Sequence, residues 1–278
     1  MELLQLKYFC EAARNENFSE TAKKFYVPTS NISSSIKRLE KELGYELFNH
    51  SSNKITLNEN GKIFYENVAK AMLYLNNAKD QLNDKYENLN GRINIRCKSN
   101  RRAVMKTVEK FIKVHPDVKF NVTFGEAQMN DIDLIISYDV PIEFKEKVLL
   151  TEEDISIAMR RSHPLAEKSD LCIADLKGEK FITGLSIETH RACNDAGFYP
   201  NIAFQLNDPS YVRRYVEMGL GIAFVPSYSW RGLFSENIVL KKTGIIRKTY
   251  AFIPPNRYTK RAVTAFVEML KEETANAR

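Results

Sequence analysis

Residues 29–40 have the sequence TSNISSSIKRLE, and this stretch decides how the first part of the chain folds. The apolar residues Ile32, Ile36 and Leu39 recur at the spacing of one buried helix face. The other face carries short hydroxyl side chains and the cations Lys37 and Arg38. The pattern therefore predicts a helix that packs through its apolar side and offers a polar, basic side to another molecule.

A shorter helix is predicted immediately before this one. Phe18, Ala22 and Phe25 form its apolar stripe, and Ser19 is predicted to be its N-cap. Pro28 then prevents the helix from continuing, because proline lacks a backbone N–H and clashes with the preceding turn. Two short helices joined by a tight turn, the second with an uncommitted polar face, are typical of a helix-turn-helix.

A β-hairpin is predicted to follow these helices. Leu47-Phe48 and residues 54–57 have strand-like composition on either side of the polar segment 49–53, which indicates a wing. The alternative interpretation of residues 18–57 is a helical hairpin on the protein surface whose charges are only solvated.

Residues 1–65 closely resemble the winged helix-turn-helix of LysR-type transcriptional regulators, and this resemblance implies binding to duplex DNA. The family usually has serine, glutamine and alanine at the positions of Pro28, Thr29 and Asn31, and a longer polar residue at that of Ser34. The matching residues are Leu3, Phe9, Ala13, Phe18, Ser19, Ala22, Phe25, Val27, Ser33, Ile36, Leu39, Glu40, Leu43, Gly44, Leu47, Phe48, Leu57 and Gly61.

Side chains of the second helix and the wing are predicted to contact DNA. Cations are expected to hold phosphates, short hydroxyls are expected to approach base edges, and the wing is expected to touch the adjacent backbone. The predicted set is Thr29, Ser30, Ser33, Ser34, Lys37, Arg38, Ser51, Asn53 and Lys54.

The charge pattern supports this prediction locally rather than globally. The net charge is +6, but residues 1–90 carry equal numbers of acidic and basic side chains, so the excess lies beyond them. Residues 21–41 are basic, because Glu40 is their only acid. Their cations are Lys23, Lys24, Lys37, Arg38 and Lys41.

The whole chain has 278 residues, 44% hydrophobic and 27% charged, which is enough for two domains with buried cores. Residues 1–10 lack the pattern of a secretory signal, and no apolar run approaches the roughly 18 residues of a membrane span. A cytoplasmic location with no membrane partner is expected. The scattered Cys10, Cys97, Cys172 and Cys193 predict reduced, buried thiols.

A long helix is predicted from Glu59 to about Leu89, with Asn58 as its cap. Its apolar residues alternate spacings of four and three, the repeat of a coiled-coil seam. These residues are Phe64, Val68, Ala71, Leu75, Ala78 and Leu82. The resemblance implies that a second copy of the same helix pairs with them, in a homodimer or homotetramer. The alternative is packing against the chain's own C-terminal domain.

Beyond Gly91 the pattern changes to strands alternating with helices, which favours an open α/β sheet. The resemblance continues through this part and implies an effector-binding domain. Only residues 125–131 separate two predicted strands, whereas a parallel crossover usually needs about a dozen residues or more. A helix usual in the family is therefore expected to be missing here.

The predicted fold class is α plus α/β: a winged helix-turn-helix, a long linker helix, and a two-subdomain α/β effector-binding domain resembling periplasmic solute-binding proteins. The three domains are expected at residues 1–58, 59–90 and 91–278. Subdomain I is expected at about 91–156 and 227–278, and subdomain II at about 157–226.

A binding cleft is predicted where helix N-termini follow the carboxyl ends of strands, because such ends present free N–H groups and a positive dipole. The predicted effector-binding residues are Ser99, Asn100, Gly184, Ser186, Asn207 and Ser210. Residues 91–106 contain six basic side chains and no acid, which favours an anionic small-molecule effector. Two alternatives stay open: these residues are ordinary helix caps, and the basic run is a solvated face.

An enzymatic role finds little support in the sequence. His190 and Cys193 are close enough to face one another on a helix, but no further ligand or orienting acid accompanies them. His115 and His163 each precede a proline and are interpreted as structural. No catalysis and no cofactor or metal is predicted. The function predicted is a ligand-responsive, DNA-binding transcriptional regulator; the alternative is a cytoplasmic solute-binding or enzymatic α/β protein whose N-terminal hairpin mediates protein contacts.

Overall fold

The computed structural model describes residues 1–51, 54–85, 88–124, 131–184, 187–206 and 208–275, with the backbone alone for residues 50, 51, 54, 187 and 188. The chain forms two compact units. Unit 1 comprises Met1–Lys85 with Asn256–Tyr258, and unit 2 comprises Tyr86–Pro255 with Thr259–Arg278. In the described parts of the chain, no helix combines the length and apolar character needed to cross a bilayer.

Unit 1 contains four helices and a hairpin among its described residues. They are α1 (Leu3–Asn15), α2 (Phe18–Phe25), α3 (Thr29–Leu43), β1 (Phe48–Ser51), β2 (Lys54–Leu57) and α4 (Glu59–Asn83). The predicted helix over residues 29–40 is confirmed, with Ile32, Ile36 and Leu39 buried. The wing is confirmed as an antiparallel pair in which Phe48 lies opposite Leu57.

The core of unit 1 joins these elements through aromatic rings. The ring of Phe9 lies 5.9 Å from that of Phe48 and 5.1 Å from that of Phe64, measured between centroids. Val68 is buried in the same cluster. The first half of α4 therefore packs against the winged helix of its own chain, which commits Phe64 and Val68 of the predicted dimer seam to this core.

Two of the four described helices of unit 1 begin at a capping asparagine. Asn58 caps α4 as predicted, accepting a hydrogen bond from the Gly61 N–H at 2.8 Å. The prediction of Ser19 as the cap of α2 is wrong, because Asn17 accepts from the Glu20 N–H at 3.0 Å and Ser19 lies inside the first turn.

Along most of unit 2, strands and helices follow one another in the chain. The first described element of this unit is β3 (Gly91–Cys97). The others are α5 (Arg101–Val114), β4 (Val118–Phe124), β5 (Leu134–Ser137), β6 (Glu146–Arg160), β7 (Lys180–Thr183), α6 (Ile187–Asp195), β8 (Asn201–Gln205), α7 (Pro209–Glu217), β9 (Ala223–Pro226), β10 (Ile238–Ile253) and α8 (Arg261–Ala275). Two short 3-10 helices, Pro164–Glu167 and Ile173–Leu176, lie between β6 and β7.

The main sheet of unit 2 has the strand order β4-β3-β5-β10-β6-β9. Strand β3 is parallel to both β4 and β5, whereas β10 is antiparallel to β5 and β6, and β9 is antiparallel to β6. A separate parallel pair is formed by β7 and β8. The predicted α/β class is confirmed, and the sheet is mixed rather than all parallel.

Strands β6 and β10 contribute to separate cores near their two ends. Near one end of the pair, Leu150 and Ala251 pack in the cluster that contains Ile95. At the other end, Ala158 and Ile238 pack with residues of α7 and β9. The register between the strands shifts at Lys242/Ile246, between these cores, and at Thr249/Tyr250, beside Leu150.

The register of β4 and β5 against β3 explains why the connection between them is short. Phe124, the end of β4, pairs with Cys97 of β3, and Leu134, the start of β5, pairs with Ile95. The start of β5 is therefore only about 7 Å back along β3 from the end of β4. The usual crossover length applies when a whole strand must be retraced. Asp131–Asp133 form no helix; residues 125–130 lie outside the described part, so the predicted absence of a helix there stays a prediction.

Candidate nucleic-acid interface and ligand cleft

The outer face of α3 is polar and open. Thr29, Ser30, Ser34, Lys37 and Arg38 are exposed, and Ser33, the remaining predicted residue of this helix, is half-buried. The Ser34 hydroxyl donates to the carbonyl oxygen of Asn31 at 3.1 Å, which leaves its lone pairs available. Structure and sequence thus agree that this face takes no part in the core.

Fewer basic side chains are available near α3 than the sequence suggests. Lys24 pairs with Glu11 at 2.6 Å, and Lys23 pairs with Glu20 at 2.7 Å, so both cations of α2 are engaged. The Glu40 carboxylate accepts the backbone N–H groups of Leu47 and Phe48, tying α3 to the first strand of the wing. The remaining basic side chains, those of Lys37, Arg38 and Lys41, all belong to α3 and are exposed.

The wing side chains predicted to contact DNA are not placed by the structure. Asn53 lies outside the described residues, and only the backbone of Ser51 and Lys54 is described. The hairpin that carries them pairs Ser51 with Lys54.

The start of α5 is unusual. Ser99 is 6% exposed, and its hydroxyl has no hydrogen-bond partner among the residues that the structure describes. Asn100 is 5% exposed and adopts the left-handed conformation, with φ 54°. Its side chain makes no cap hydrogen bond to α5. The first N–H groups of a helix have no intrahelical acceptor, so this end remains able to bind an anion.

Three of the six basic residues of 91–106 contact different partners. Arg101 lies over the ring of Phe124, 5.0 Å from its centroid. Arg102 donates to the carbonyl oxygen of Arg231 at 2.9 Å, and Lys106 pairs with Glu273 at 2.6 Å. Of these three, Arg101 is the partly buried cation beside the open end of α5.

Helix α7 starts with a satisfied cap. Asp208 accepts hydrogen bonds from both the hydroxyl and the backbone N–H of Ser210, each at 2.7 Å. These bonds, with a smaller contribution from the positive charge of Arg101, hold the pKa of Asp208 below its usual value. Ser210 therefore lies beside a carboxylate that already accepts its hydroxyl.

The other predicted cleft residues give less information. The Gly184 carbonyl oxygen accepts from the Thr183 hydroxyl at 3.0 Å. Ser186 and Asn207 lie outside the described residues. Two cavities of unit 2, of about 810 and 380 Å³, are lined by none of the predicted effector-binding residues.

A buried carboxylate that the sequence analysis missed lies close to Asn100. The Glu153 side chain is fully buried and pairs with Arg247 at 2.9 Å. It also accepts the backbone N–H groups of Tyr228 and Ser229, at 3.0 and 2.8 Å. The Ser229 hydroxyl lies 2.7 Å from Glu153 and also donates to the Asn100 side-chain oxygen. Glu153 thus connects β6, β10 and the turn after β9 to the start of α5.

Both units match known protein families. Residues 3–62 match the bacterial regulatory helix-turn-helix protein of the lysR family, and residues 87–275 match the LysR substrate binding domain. The chain belongs to the LysR family of transcriptional regulators. The resemblance noted in the sequence is thereby confirmed, as is the prediction of a transcriptional regulator. Members of this LysR family are regulators and not enzymes, which excludes the enzymatic alternative.

Relatives of this LysR-family chain match over most of their length. The transcriptional dual regulator GltC of Bacillus subtilis is 29% identical, covering 97% of this chain and 96% of GltC. The regulator CysB of Haemophilus influenzae is 27% identical, covering 89% of this chain and 82% of CysB.

Solved structures with lower sequence identity share the LysR-type fold. A cysteine-to-aspartate variant of full-length OxyR from Pseudomonas aeruginosa has a TM-score of 0.69 at 17% identity, covering 99% of this chain and 94% of that one. Full-length CbnR in complex with its target DNA has a TM-score of 0.63 at 20% identity, covering 98% of this chain and 100% of that one.

Cys193 and His190 of this LysR-family protein lie in different environments. Cys193 is buried, and burial raises its pKa to about 11, while His190 beside it is exposed. Burial also raises the pKa of Cys10 to about 11 and of Cys97 to about 12. The prediction of buried thiols is wrong for Cys172, which is exposed. No group of metal-ligating side chains occurs in the described parts of the chain.

Proposed function

We propose that this LysR-family chain is a sequence-specific regulator that binds duplex DNA through residues 1–57 and senses a small anionic metabolite through residues 91–278. The observation that carries the DNA half is the solvent-facing side of α3, where hydroxyls and cations lie together outside the core. A protein acting on DNA shares its compartment, which agrees with the predicted cytoplasmic location.

The side chains of α3 would divide the work of recognition. Lys37 and Arg38 would bind phosphates, which fixes the position of the helix but reads no sequence. Thr29, Ser30 and Ser33 are short enough to approach base edges in the major groove, and each hydroxyl can both donate and accept. Ser34 and the wing residues Ser51, Asn53 and Lys54 complete the proposed contact set.

Lys37→Ala is expected to weaken binding to an operator and to random duplex DNA by a similar factor, because a lost phosphate contact is not specific for sequence. The slope of log affinity against log salt should flatten by about one unit. Fluorescence anisotropy titrations over a range of salt concentrations measure both effects. Lys119→Ala, which removes an exposed lysine of unit 2, is the matched control. An unchanged slope for Lys37→Ala would remove this residue from the interface.

The effector half rests on the start of α5. There the structure combines the N-terminus of α5, which Asn100 does not cap, with the buried Ser99 hydroxyl and the partly buried Arg101. The Ser99 hydroxyl has no hydrogen-bond partner among the described residues. These groups favour a carboxylate or phosphate, because each supplies a donor or positive charge. Gly184, Ser186, Asn207 and Ser210 remain the proposed second wall.

Ser99→Ala is expected to shift the response of the protein to anions towards higher concentration. A small organic acid at about 100 times its dissociation constant should stabilise the parent by about 2.7 kcal/mol. Thermal shift assays over a set of small acids, repeated on the variant, test this. Ser210→Ala is the informative comparison, because Asp208 already holds that hydroxyl. An equal response of Ser99→Ala and the parent, or stabilisation by cationic or apolar compounds only, would contradict the proposed site.

The chain is proposed to act as a homodimer or homotetramer. The second half of α4 leaves Ala71, Leu75, Ala78 and Leu82 exposed on one stripe, with Leu75 55% and Leu82 62% exposed. Large apolar side chains at heptad spacing on a helix surface favour pairing with another helix. The proposed seam is thus shorter than the sequence predicted, since it begins after Val68.

A further inference from the structure

Asn100 stands at the N-terminus of α5 but does not cap it. Asparagine is among the preferred N-cap residues because its side-chain oxygen accepts from the second or third N–H of the helix. In this chain its amide nitrogen instead donates to the Thr151 hydroxyl at 3.0 Å, and its amide oxygen accepts from Ser229. A natural capping side chain is therefore held away from its own helix.

The protons of this network can be counted. The Ser229 hydroxyl has one proton, but it lies within hydrogen-bond distance of two acceptors, the Asn100 oxygen and the Glu153 carboxylate. Interchanging the amide oxygen and nitrogen of Asn100 satisfies every group, because Thr151 then donates to Asn100, Asn100 to Ser229, and Ser229 to Glu153. In either orientation both ends of the amide are engaged.

The backbone of Asn100 fits this arrangement. Its left-handed conformation is one that asparagine tolerates better than most residues, whereas an N-cap residue normally has an extended backbone. The left-handed backbone and the side-chain hydrogen bonds to Thr151 and Ser229 together keep the Asn100 side chain away from the N–H groups of α5. The N–H groups at the start of α5 receive no hydrogen bond from the Asn100 side chain, and the Ser99 hydroxyl beside them has no partner in the part of the chain that the structure describes.

We infer that Thr151 and Ser229 are positioning residues of the ligand cleft, which hold Asn100 away from the end of α5, and that Asn100 is not itself an effector ligand. Thr151 and Ser229 keep its side chain off the end of α5, so that the carboxylate or phosphate of the effector binds the N–H groups that Asn100 would otherwise cap. This inference rests on the anionic effector proposed above. It also makes Asn100 a latent competitor of the effector, because its own oxygen fits the same N–H groups.

The test uses two variants that release Asn100 and one that removes it. Ser229→Ala and Thr151→Val each delete one link, after which Asn100 can turn and cap α5. A cap of ordinary strength would raise the dissociation constant of a competing anion about fivefold. Asn100→Gly accepts the left-handed backbone but has no side chain to cap with, so it should bind anions nearly as the parent does.

The double variants decide between positioning and general damage. Adding Asn100→Gly to Ser229→Ala or to Thr151→Val should restore the affinity of the parent, whereas a merely structural role would make the losses add. Calorimetric titration of the full-length protein with sodium sulfate, sodium phosphate and a series of sodium dicarboxylates measures these affinities. Binding by the parent without rescue in the double variants would overturn the positioning role alone; no anion binding by the parent would overturn the anionic effector and this role together.

A second measurement needs no ligand. Amide hydrogen exchange in the first turn of α5 should be slower in Ser229→Ala than in the parent, because a cap protects these N–H groups, and it should return to the parent rate when Asn100→Gly is added. Equal exchange in the parent and Ser229→Ala would also overturn the inference.

Discussion

Glu153→Ala is expected to lower the free energy of unfolding by about 3–5 kcal/mol, because it leaves the largely buried Arg247 without its carboxylate. It also removes the acceptor of the Tyr228 and Ser229 backbone N–H groups. Since about 1 kcal/mol shifts the Tm of a protein of this size by roughly 2–4 °C, the Tm should fall by about 6–20 °C. Differential scanning calorimetry and denaturant unfolding both measure the loss.

The neighbouring residue supplies a matched control for Glu153→Ala. Glu152 pairs with Lys248 at 2.8 Å on the adjacent rung of the same two strands, but both side chains are well exposed. Glu152→Ala should therefore cost no more than about 1 kcal/mol. If the two alanine variants unfold at the same temperature, the buried Glu153 pair contributes no more to stability than the exposed Glu152 pair.

Leu75→Glu is expected to weaken self-association of the full-length protein by about 100-fold or more. The change places a carboxylate from each copy in the proposed seam of α4, where both would lose solvation and repel one another, at a cost of about 3 kcal/mol. Analytical ultracentrifugation over a range of protein concentrations measures the change.

Lys62→Glu is the control for this second variant. It alters charge on the same helix about 140° around the axis from Leu75, at a lysine that is exposed and paired with Glu59. Its assembly should match that of the parent. An unaltered sedimentation profile for Leu75→Glu itself would mean that α4 does not carry the contact between copies.

Local patterns predicted the first unit well, because amphipathic periodicity is a property of neighbouring residues. The apolar stripe of α3 and the Asn58 cap needed no knowledge of distant contacts. The choice between Asn17 and Ser19 as the cap of α2 did need such knowledge, because asparagine and serine are both good N-cap residues. The ring of Phe18 lies 5.5 Å from that of Phe48, a long-range contact that the local pattern does not contain.

The α4 helix shows the limit of periodicity. The four-three spacing identifies one apolar face from Phe64 to Leu82, but it does not say what covers each part of that face. In the fold, Phe64 and Val68 are covered by the winged helix of the same chain, while Leu75 and Leu82 remain exposed. The same apolar spacing therefore covers two regions of α4, one packed in the core of unit 1 and one exposed.

The sequence predicted a cleft at the start of α5, and the effector-binding role of its residues stays a prediction. Sequence alone places Ser99 and Asn100 between a strand and a helix. It gives no sign that Asn100 is engaged by Thr151 and Ser229, which lie 51 and 129 residues away. One signal of this network was present in the sequence. Glu153 lies on the same face of its strand as Ile155 and Ile157, and an acid on an inward-facing position requires a partner.

The strands β6 and β10 also constrain how unit 2 can be divided. Each strand supplies buried residues to the cores near both ends of the β6/β10 pair. A cut between residues 156 and 157 would therefore split β6 within its pairing with β10 and leave both fragments without part of their core. We therefore expect that neither half folds as an exchangeable module. Chimeras that graft a new sensing half from a relative must therefore carry both long strands together, and limited proteolysis should release unit 2 whole rather than as two stable lobes.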